Sequence, residues 1–466
     1  MYKKSEKLYN KRLDSWNKYS KINSFYYTNL QILAKYLIPN EASVLEFGSK
    51  RGEFLKSLSN KNKVGVEFDS DFVRNKLKGV KIIEYQKASK ALRGKKFDYI
   101  ILSNTLSEID NIQDFLVAIK KYCHPQTRVL VFYFNYLWKP LLDMGEIVGI
   151  KSPDAKSPNW LSKIDIDNFF AIEDFDQVKH GKYFMAPYEI PVLSPFINKY
   201  LSSLPVLDNL SLLNYSIYKF NSKIRDYSAT VVIPARNESG NIRGVLKKIP
   251  LFTKNIEVIF VEGNSTDDTY EAIEKEITSY KGPIRVSLLK QKGKGKGNAV
   301  RLGFLKAKNE VLMILDADLT VSPYELTKFY NALIRGKGEL IMGSRLIYPM
   351  ANEAMRTLNI LGNKFFSIVF SFLLGQNIKD TLCGTKVLLR SDYQKIANNR
   401  KYFGDFDPFG DYDLIFGAAK LNMKILEIPI RYGERVYGTT NISRFTHGWL
   451  LLKMALFAFK KFRFIG

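Results

Sequence analysis

The sequence predicts an α/β protein with two doubly wound domains, one in each half of its 466 residues. Apolar runs typical of buried strands alternate with helical stretches in both halves, as they do in parallel sheets covered by helices. In the first half these runs lie at 42–48, 62–69, 97–104 and 127–134. A fresh strand begins at 229, so we place the domains at 1–225 and 226–466.

A proline-rich segment of short apolar pieces, PYEIPVLSPFINKYLSSLPVLDNL, precedes the second series of strands. Proline removes a backbone donor and interrupts regular elements, which is typical of loops and linkers. We expect this segment to connect the two domains.

Composition excludes several classes of protein. A hydrophobic content of 46% argues against disorder, and two cysteines provide no disulfide framework. The first residues lack the apolar core of a signal peptide, so a cytoplasmic location is expected. The net charge of +25 favours anionic partners such as nucleotides or acidic lipids. No nucleic-acid-binding motif is recognisable, and nucleic acid is not an expected partner.

Two stretches bear on membrane contact. ILGNKFFSIVFSFLL at 360–374 and WLLLKMALFAFKKFRF at 449–464 mix apolar residues with Lys, Asn or Arg. Such mixtures are typical of helices that lie in a membrane interface, although buried core helices look similar. No run reaches the 18 apolar residues of a spanning helix. We expect a protein that is peripheral on the cytoplasmic face of the membrane.

A glycine-bearing turn follows the first strand. In LEFGSKRGEFL the strand ends at Glu46, and Gly48 and Gly52 precede a helix that begins at Glu53. Glycines in such a turn let a ligand approach the backbone closely. The next strand ends in VGVEFD, where Glu67 could accept from the two hydroxyls of a ribose.

These motifs, with FDYIILSNTLSEID and RVLVFYF, resemble the class I S-adenosylmethionine-dependent methyltransferases over about residues 25–190. The resemblance implies that Glu46, Gly48 and Gly52 line the methionine, Glu67 the ribose, and that Asn104 lies near the reacting centre. Lys50 stands where the family has its middle glycine. A scaffold with weak or lost cofactor affinity is therefore the alternative for this half.

The most informative motif of the second half is ILDADLT at 314–320. A buried strand stops at Asp316 and Asp318, and side chains two residues apart in an extended segment point the same way. Two convergent carboxylates suit Mg²⁺ or Mn²⁺, which would also bind the phosphates of a nucleotide. An ordinary pair of turn acids is the alternative interpretation.

Three further motifs precede it in order. ATVVIPARNESGNI ends a strand at Pro234 and continues through Arg236 and Glu238, and EVIFVEGNSTDDT ends a second strand at Glu262. KGKGKGNAVRLGF then places cations among glycines before a helix, an arrangement suited to a diphosphate.

This succession, with MGSRL, KDTLCGTKVLLR, FGDYDLIFGAAKL and the segment 428–454, resembles glycosyltransferase family 2. The similarity is greatest to its dolichyl-phosphate mannosyltransferase and polyprenyl-phosphate glycosyltransferase branch, which has a GT-A fold. The resemblance implies a donor site, with the metal on the two aspartates, formed by Pro234, Ala235, Arg236, Asn237, Glu238, Glu262, Asn264, Lys294, Asp316, Ala317 and Asp318. It also implies phosphate or acceptor contacts at Arg345, Lys386 and Arg435. EGNS departs from the family's paired aspartates before Gly-Ser, since Gly263 lacks one carboxylate.

The implied reaction is inverting transfer from a UDP- or GDP-linked sugar, with Asp318 among the catalytic residues. A polyprenyl phosphate acceptor arrives anionic and needs only cations to position it. A hydroxyl of a surface glycan or glycolipid needs a general base, for which Asp411 and Asp413 are the candidates. In that alternative the first half could methylate the same glycan.

Overall fold

The computed structural model describes residues 14–151, 161–221, 225–345, 357–400, 412–433, 435, 437–438 and 444–463. These residues form two compact units. The first runs up to Asn221 and includes the residues from Lys461 on, and the second extends to Lys460. The domain boundary placed at 225/226 stays a prediction, and the candidate base Asp411 lies outside the described residues.

The first unit is built on a seven-stranded sheet with the order β3-β2-β1-β4-β5-β7-β6. Its strands are β1 (Val44–Phe47), β2 (Lys63–Glu67), β3 (Ile82–Glu84), β4 (Tyr99–Ser103), β5 (Arg128–Phe134), β6 (Phe175–Tyr183) and β7 (Leu213–Phe220). All neighbours are parallel except β7, which pairs antiparallel with both β5 and β6.

Buried apolar clusters lie on both faces of this sheet. The helices of this unit are α1 (Ser24–Leu37), α2 (Glu53–Ser57), α3 (Ser70–Arg74), α4 (Tyr85–Ala91), α5 (Ile112–Lys120), α6 (Lys139–Ile147), α7 (Lys163–Ile172) and α8 (Leu193–Lys199). Val44 packs into one buried cluster and Leu45 into the other, since successive strand residues point to opposite faces. On α1, Leu30, Leu33 and Leu37 recur at helical spacing and form its buried stripe.

The second unit contains a seven-stranded sheet with the order β10-β9-β8-β11-β13-β12-β14. Its strands are β8 (Ala229–Ala235), β9 (Ile256–Glu262), β10 (Arg285–Lys290), β11 (Val311–Ile314), β12 (Leu340–Ser344), β13 (Lys386–Leu389) and β14 (Ile425–Pro429). Strand β13 is antiparallel to both of its neighbours, and the other pairs are parallel.

The helices that follow in the chain are α9 (Ser239–Ile242), α10 (Val245–Lys248), α11 (Thr269–Ser279), α12 (Lys296–Lys306), α13 (Leu326–Ile334), α14 (Thr357–Leu374), α15 (Arg390–Asn398), α16 (Tyr412–Lys420) and α17 (Arg444–Phe462). Over the residues that the structure describes, none of the helices combines the length and the apolarity needed to cross a membrane.

The predicted fold class, two doubly wound α/β domains, is confirmed. Two details differ. The sheets are mixed rather than wholly parallel, because β7 and β13 return between parallel strands. The proline-rich segment at 187–210 is not the connection between domains. It joins β6 to β7 inside the first unit, since the strand after it pairs along the whole of β5.

Candidate functional site

The loops after β8, β9 and β11 leave the same edge of the second sheet. These strands are parallel neighbours, and Ala235 lies opposite Glu262 at their carboxyl ends. The Gly263 N–H donates to the carbonyl of Ala235, which holds the first two loops together. In parallel sheets this edge is where ligands bind.

Three carboxylates form an acidic cluster at this edge, defined here as Glu238, Asp316 and Asp318. The guanidinium of Arg435 joins two of them: Nη1 lies 3.2 Å from Glu238 Oε1, and Nη2 lies 2.7 Å from Asp318 Oδ2. Burial raises the pKa of Glu238; Asn241 and Arg435 oppose this rise, and Asp318 and Asp316 add to it. The mutual repulsion shows that the three acids share one electrostatic site.

Each aspartate has its own support. Asp316 Oδ1 pairs with Lys296 Nζ at 2.6 Å, at the start of α12. Asp318 Oδ1 accepts from the backbone N–H of Thr320 at 3.2 Å and from its hydroxyl at 2.9 Å. Both carboxylates remain accessible, with side-chain exposures of 25% for Asp316 and 13% for Asp318.

Gly384 makes room for this arrangement. It lies just before β13, which runs antiparallel beside β11 and brings it to the D-A-D loop. A Cβ at Gly384 would lie 2.2 Å from Asp316 Oδ2 and 2.3 Å from Lys296 Nζ. Only glycine leaves the ion pair undisturbed.

The chemistry of these donors fits a divalent ion. Mg²⁺ and Mn²⁺ prefer carboxylate oxygens and are commonly held by one or two acids together with substrate phosphates. In the described part of the chain, no three His, Cys, Asp or Glu side chains are grouped so that they could hold a metal by themselves. Asp316 and Asp318 would therefore hold the ion together with a diphosphate.

Glu262 ends β9 at the same edge of the sheet and is 1% exposed. Its Oε1 accepts from the backbone N–H of Ser265 at 2.6 Å, whereas Oε2 is buried with no hydrogen-bond partner among the described residues. Gln291, whose backbone N–H donates to the Glu262 carbonyl, also has a buried side-chain oxygen without a partner there. Two buried acceptors on residues that are joined by a backbone hydrogen bond fit the N–H and O–H donors of a nucleoside.

The other predicted donor residues line the same loops. Asn237 and Asn264 both have positive φ, 55° and 59°, and shape the two turns. The backbone N–H of Asn237 donates to Ser265 Oγ, and Asn237 Oδ1 accepts from Thr266 N–H. Of the remaining five, Arg236 and Lys294 are exposed, Pro234 is partly buried, and Ala235 and Ala317 are buried.

The predicted acceptor cations are less accessible. Arg345 forms a two-pronged ion pair with Asp380, with Nε–Oδ2 at 2.7 Å and Nη2–Oδ1 at 2.8 Å. Burial opposes ionisation of Asp380, but Arg345 outweighs it and holds the pKa of that carboxyl below its ordinary value. Lys386 is fully buried and its Nζ donates to the Cys383 carbonyl at 2.6 Å. Neither cation points freely toward solvent.

Asp413, a predicted catalytic base, lies at the start of α16 and is 7% exposed. Its Oδ2 accepts from Arg301 and, at 3.1 Å, from Arg400 Nε. A carboxylate that already binds two guanidinium groups is poorly placed to take a proton from a sugar hydroxyl.

The first unit has its own loop site. Gly48 and Gly52 have positive φ of 73° and 90°, and Glu46 is 2% exposed. Burial raises the pKa of Glu46 well above its ordinary value, and the charge of Glu67 adds to the rise. Glu46 Oε2 has no hydrogen-bond partner among the described residues. An unsatisfied buried acceptor beside a glycine turn fits the ammonium of a methionine.

Two other predicted contacts fit S-adenosylmethionine less well. The Glu67 carboxylate already accepts from the backbone N–H groups of Lys50, Phe68 and Asp69, and little of its acceptor capacity is left for ribose hydroxyls. Lys50, with φ 49°, extends its Nζ to Glu108 at 3.0 Å. Asn104 also has positive φ, and its side-chain amide donates to the Tyr26 hydroxyl.

The sequence alone did not single out four residues of the second site: Lys296, Thr320, Gln291 and Gly384. Lys296 lies in the same G-K-G-K-G run as the predicted Lys294, but only the fold shows which lysine reaches Asp316. Gly384 lies inside the quoted motif KDTLCGTKVLLR, where a glycine between buried residues signals a close approach.

Comparison with protein-family models finds two matches. Residues 230–397 match the glycosyl transferase family 2 model, and residues 20–180 match a methyltransferase domain model. The first match includes the acidic cluster and Glu262, and the second includes the loop from Glu46 to Gly52.

Curated relatives are moderately similar. A dolichyl-phosphate beta-glucosyltransferase from Trichomonas vaginalis is 31% identical over 226 residues, 44% of this chain and 64% of the relative. A low-salt glycan biosynthesis hexosyltransferase from Haloferax volcanii is 26% identical over 233 residues, which are 49% of this chain and 52% of the relative. A dolichol-phosphate mannosyltransferase from Pyrococcus furiosus is 27% identical over 218 residues, which are 46% of this chain and 58% of the relative. The chain thus spans about half to two thirds of these relatives.

Among solved structures, a SAM-dependent methyltransferase from Thermotoga maritima aligns with a TM-score of 0.35 and 15% identity, covering 45% of this chain and 97% of that one. Glucosyl-3-phosphoglycerate synthase from Mycobacterium tuberculosis, in complex with Mn²⁺ and UDP, aligns with a TM-score of 0.37 and 17% identity. The alignment covers 51% of this chain and 80% of that one. From the family models, the chain carries a methyltransferase domain followed by a glycosyl transferase family 2 domain.

Proposed function

We propose that the second unit is an inverting glycosyltransferase that transfers a sugar from a nucleoside-diphosphate sugar to a polyprenyl phosphate. The acidic cluster supports this proposal, because Arg435 contacts both Glu238 and Asp318, and Asp316 follows the buried strand β11 at the same carboxyl edge of the sheet. The glycosyl transferase family 2 match spans all three acids, and two relatives are named for dolichyl or dolichol phosphate.

In this proposal different loops bind different parts of the donor. The side-chain oxygens of Glu262 and Gln291 that have no hydrogen-bond partner among the described residues accept hydrogen bonds from the nucleoside part of a UDP- or GDP-linked sugar. Lys296 and Arg435 already contact the two aspartates and supply positive charge where a diphosphate would bind. A divalent ion bound there neutralises the negative charge that develops on the leaving diphosphate.

The ion pairs of Asp413 with Arg301 and Arg400 favour a phosphate acceptor over a sugar hydroxyl. An anionic phosphate attacks the anomeric carbon from the face opposite the leaving group without losing a proton. Hence it needs no general base, and the pairing of Asp413 with Arg301 and Arg400 does not obstruct it. A sugar hydroxyl of a glycan or glycolipid is the second candidate acceptor, with Asp413, or Asp411 outside the described residues, as the candidate base.

The acceptor's isoprenoid tail would place this unit at a membrane surface, on the cytoplasmic face in our proposal. Helix α14 supports this placement because Lys364, Phe365 and Ile368 are exposed while Phe370 is fully buried. Helix α17 likewise exposes Trp449 and Leu456. Exposed apolar side chains next to a lysine on the same helix, as on α14, are typical of helices that lie in a membrane interface.

The test begins with a thermal-shift screen of UDP- and GDP-sugars with Mn²⁺ on the full chain. The best donor is then incubated with polyprenyl phosphate or with a neutral glycolipid, and the products are weighed by mass spectrometry. We expect the mass of one hexose to be added to polyprenyl phosphate. Asp318→Asn should abolish the product, whereas Glu271→Gln, an exposed acid on α11, should not. Product on the glycolipid alone would establish the second acceptor class.

We further propose that the first unit binds S-adenosylmethionine weakly or not at all. The unpartnered Glu46 oxygen favours binding, while the occupied Glu67 carboxylate and the Lys50–Glu108 pair oppose it. Calorimetric titration of S-adenosylmethionine into the full chain decides between an active methyltransferase and a scaffold. Micromolar binding would contradict this proposal.

A further inference from the structure

Exposed apolar side chains are concentrated at one edge of the first unit. More than half of the exposed large apolar side chains of the described residues lie in two segments, 136–148 and 188–210. We call these two segments together the apolar edge surface. Among its members, Ile147 and Val192 are each 85% exposed and Val206 is 76% exposed. Apolar concentrations of this kind mark interaction sites rather than ordinary surface.

The two segments lie next to each other. The Trp138 indole N–H donates to the Leu210 carbonyl at 2.8 Å, and the Asn135 side-chain amide donates to the Asn209 carbonyl at 2.7 Å. Both segments leave the sheet where Phe134, Leu213 and Tyr183 lie side by side in register. This is the carboxyl edge of β5, the same edge that carries the Gly48 loop on β1.

The second segment contains a repeated, strained turn. In each Pro-Val-Leu tripeptide, 191–193 and 205–207, the leucine N–H donates to the proline carbonyl, at 2.8 and 2.9 Å. Val192 has φ 68° and ψ −46°, and Val206 has φ 71° and ψ −51°. These are γ-turns of the rare strained type, and a β-branched residue with positive φ is an outlier. Each turn presents its valine to solvent, and conformational strain of this kind is concentrated at functional sites.

Charge and aromatic content indicate the occupant. Of the acids in both segments, all but Glu189 take part in an ion pair. Asp208 pairs with both Lys182 and Arg463. These two cations, Lys151 and the two lysines within the segments together make five positive charges against four acids, a net charge of +1. Three tyrosines with exposed rings, Tyr136, Tyr188 and Tyr200, lie among the aliphatic residues. Tyrosines next to aliphatic tips and cations are typical of segments that enter the headgroup region of an anionic bilayer.

We propose that the apolar edge surface is a membrane-docking surface, which inserts the Val192 and Val206 turns into the headgroup region of an anionic bilayer. It goes beyond the proposed sugar transfer because it assigns a binding surface to the first unit. A unit docked in this way presents its carboxyl edge, with the Gly48 loop, toward the membrane.

The test is flotation of the full chain with phosphatidylcholine vesicles that contain phosphatidylglycerol. The test variant is Val192→Asp/Val206→Asp. Aspartate tolerates positive φ better than valine, so the double variant should melt no lower than the wild type. We expect its vesicle partitioning to fall about tenfold or more, since two apolar tips become charged. The control, Ile172→Asp, changes a 63% exposed residue before β6, at the opposite edge of the sheet.

Wild-type partitioning that requires phosphatidylglycerol and falls in high salt supports the proposal. Flotation of the double variant at the wild-type level would overturn it and assign vesicle binding to another surface. No flotation of the wild type would overturn it as well, and would assign the surface to a protein partner. Sugar transfer to detergent-dispersed polyprenyl phosphate is measured on the same variants. If the wild type shows no such transfer, the proposed function is refuted, whereas the docking proposal is unaffected.

Discussion

Replacing Gly384 with alanine probes the acidic cluster without changing any charge. The added Cβ would lie 2.2 Å from Asp316 Oδ2 and 2.3 Å from Lys296 Nζ, where ordinary contacts exceed 3 Å. The carboxylate and the ammonium must therefore move by roughly 1 Å, and a displacement of that size at a positioned group costs about 100-fold in rate. In free energy this is about 2.7 kcal/mol of transition-state stabilisation.

Stability should change little. The Lys296–Asp316 pair is about a third exposed at the lysine, and partly exposed pairs contribute only about 0–1 kcal/mol. The backbone of Gly384 lies outside the left-handed region, so alanine is conformationally allowed. The matched control is Gly362→Ala on α14, where an added Cβ meets nothing within 4 Å.

The assay compares kcat/KM for transfer to polyprenyl phosphate with saturating Mn²⁺, together with the melting temperature of each variant. We expect Gly384→Ala to lose about two orders of magnitude with nearly unchanged melting, and Gly362→Ala to retain its rate. A rate for Gly384→Ala within about threefold of the wild type would refute the positioning role of Asp316.

Three further predictions concern other sites. Asp380→Asn leaves Arg345 buried without its carboxylate and should cost about 3–5 kcal/mol in urea unfolding; a loss below about 1 kcal/mol would contradict this. Burial raises the pKa of Glu427 from 4.5 to about 7, so the folded chain binds that proton more tightly. Stability should therefore fall by at most about 3.4 kcal/mol as pH rises from about 4.5 to about 7, and Glu427→Gln should remove that part of the pH dependence of the melting temperature. Lys50→Gly relieves a positive φ and removes the pair with Glu108. It should tighten S-adenosylmethionine binding about tenfold by calorimetry, and unchanged affinity would argue that Lys50 is no obstacle.

The sequence was most informative where local pattern and burial agree. The D-A-D loop follows a strand whose four residues, Val311–Ile314, are all buried, and such a run is legible from composition alone. Likewise the glycines at 48 and 52 precede a helix that begins at Glu53, as the turn chemistry predicts.

Pairings between distant residues could not be foreseen. Arg345 and Lys386 are recognisable as cations in the sequence. In the fold, however, Arg345 pairs with Asp380 and Lys386 is fully buried. Asp413 is bound by arginines 112 and 13 residues away along the chain. Such partners depend on the tertiary arrangement, and no local signal distinguishes them from solvent-facing charges.

The segment 187–210 was misassigned for a related reason. Its prolines and short apolar pieces are typical of a linker, and its exposure agrees with that appearance. Its place between β6 and β7 is fixed by the register of β7 against β5, a long-range pairing that composition does not encode.

If Asp316 and Asp318 hold a nucleoside diphosphate through a divalent ion, nucleotide binding must depend on that ion. Calorimetric titration of UDP and GDP into the full chain, with Mn²⁺ or with chelator, measures this dependence. We predict binding of one nucleotide in Mn²⁺, loss of most of that affinity with chelator, and a similar loss in Asp318→Asn. Equal affinity with and without the metal, unaffected by Asp318→Asn, would contradict the claim.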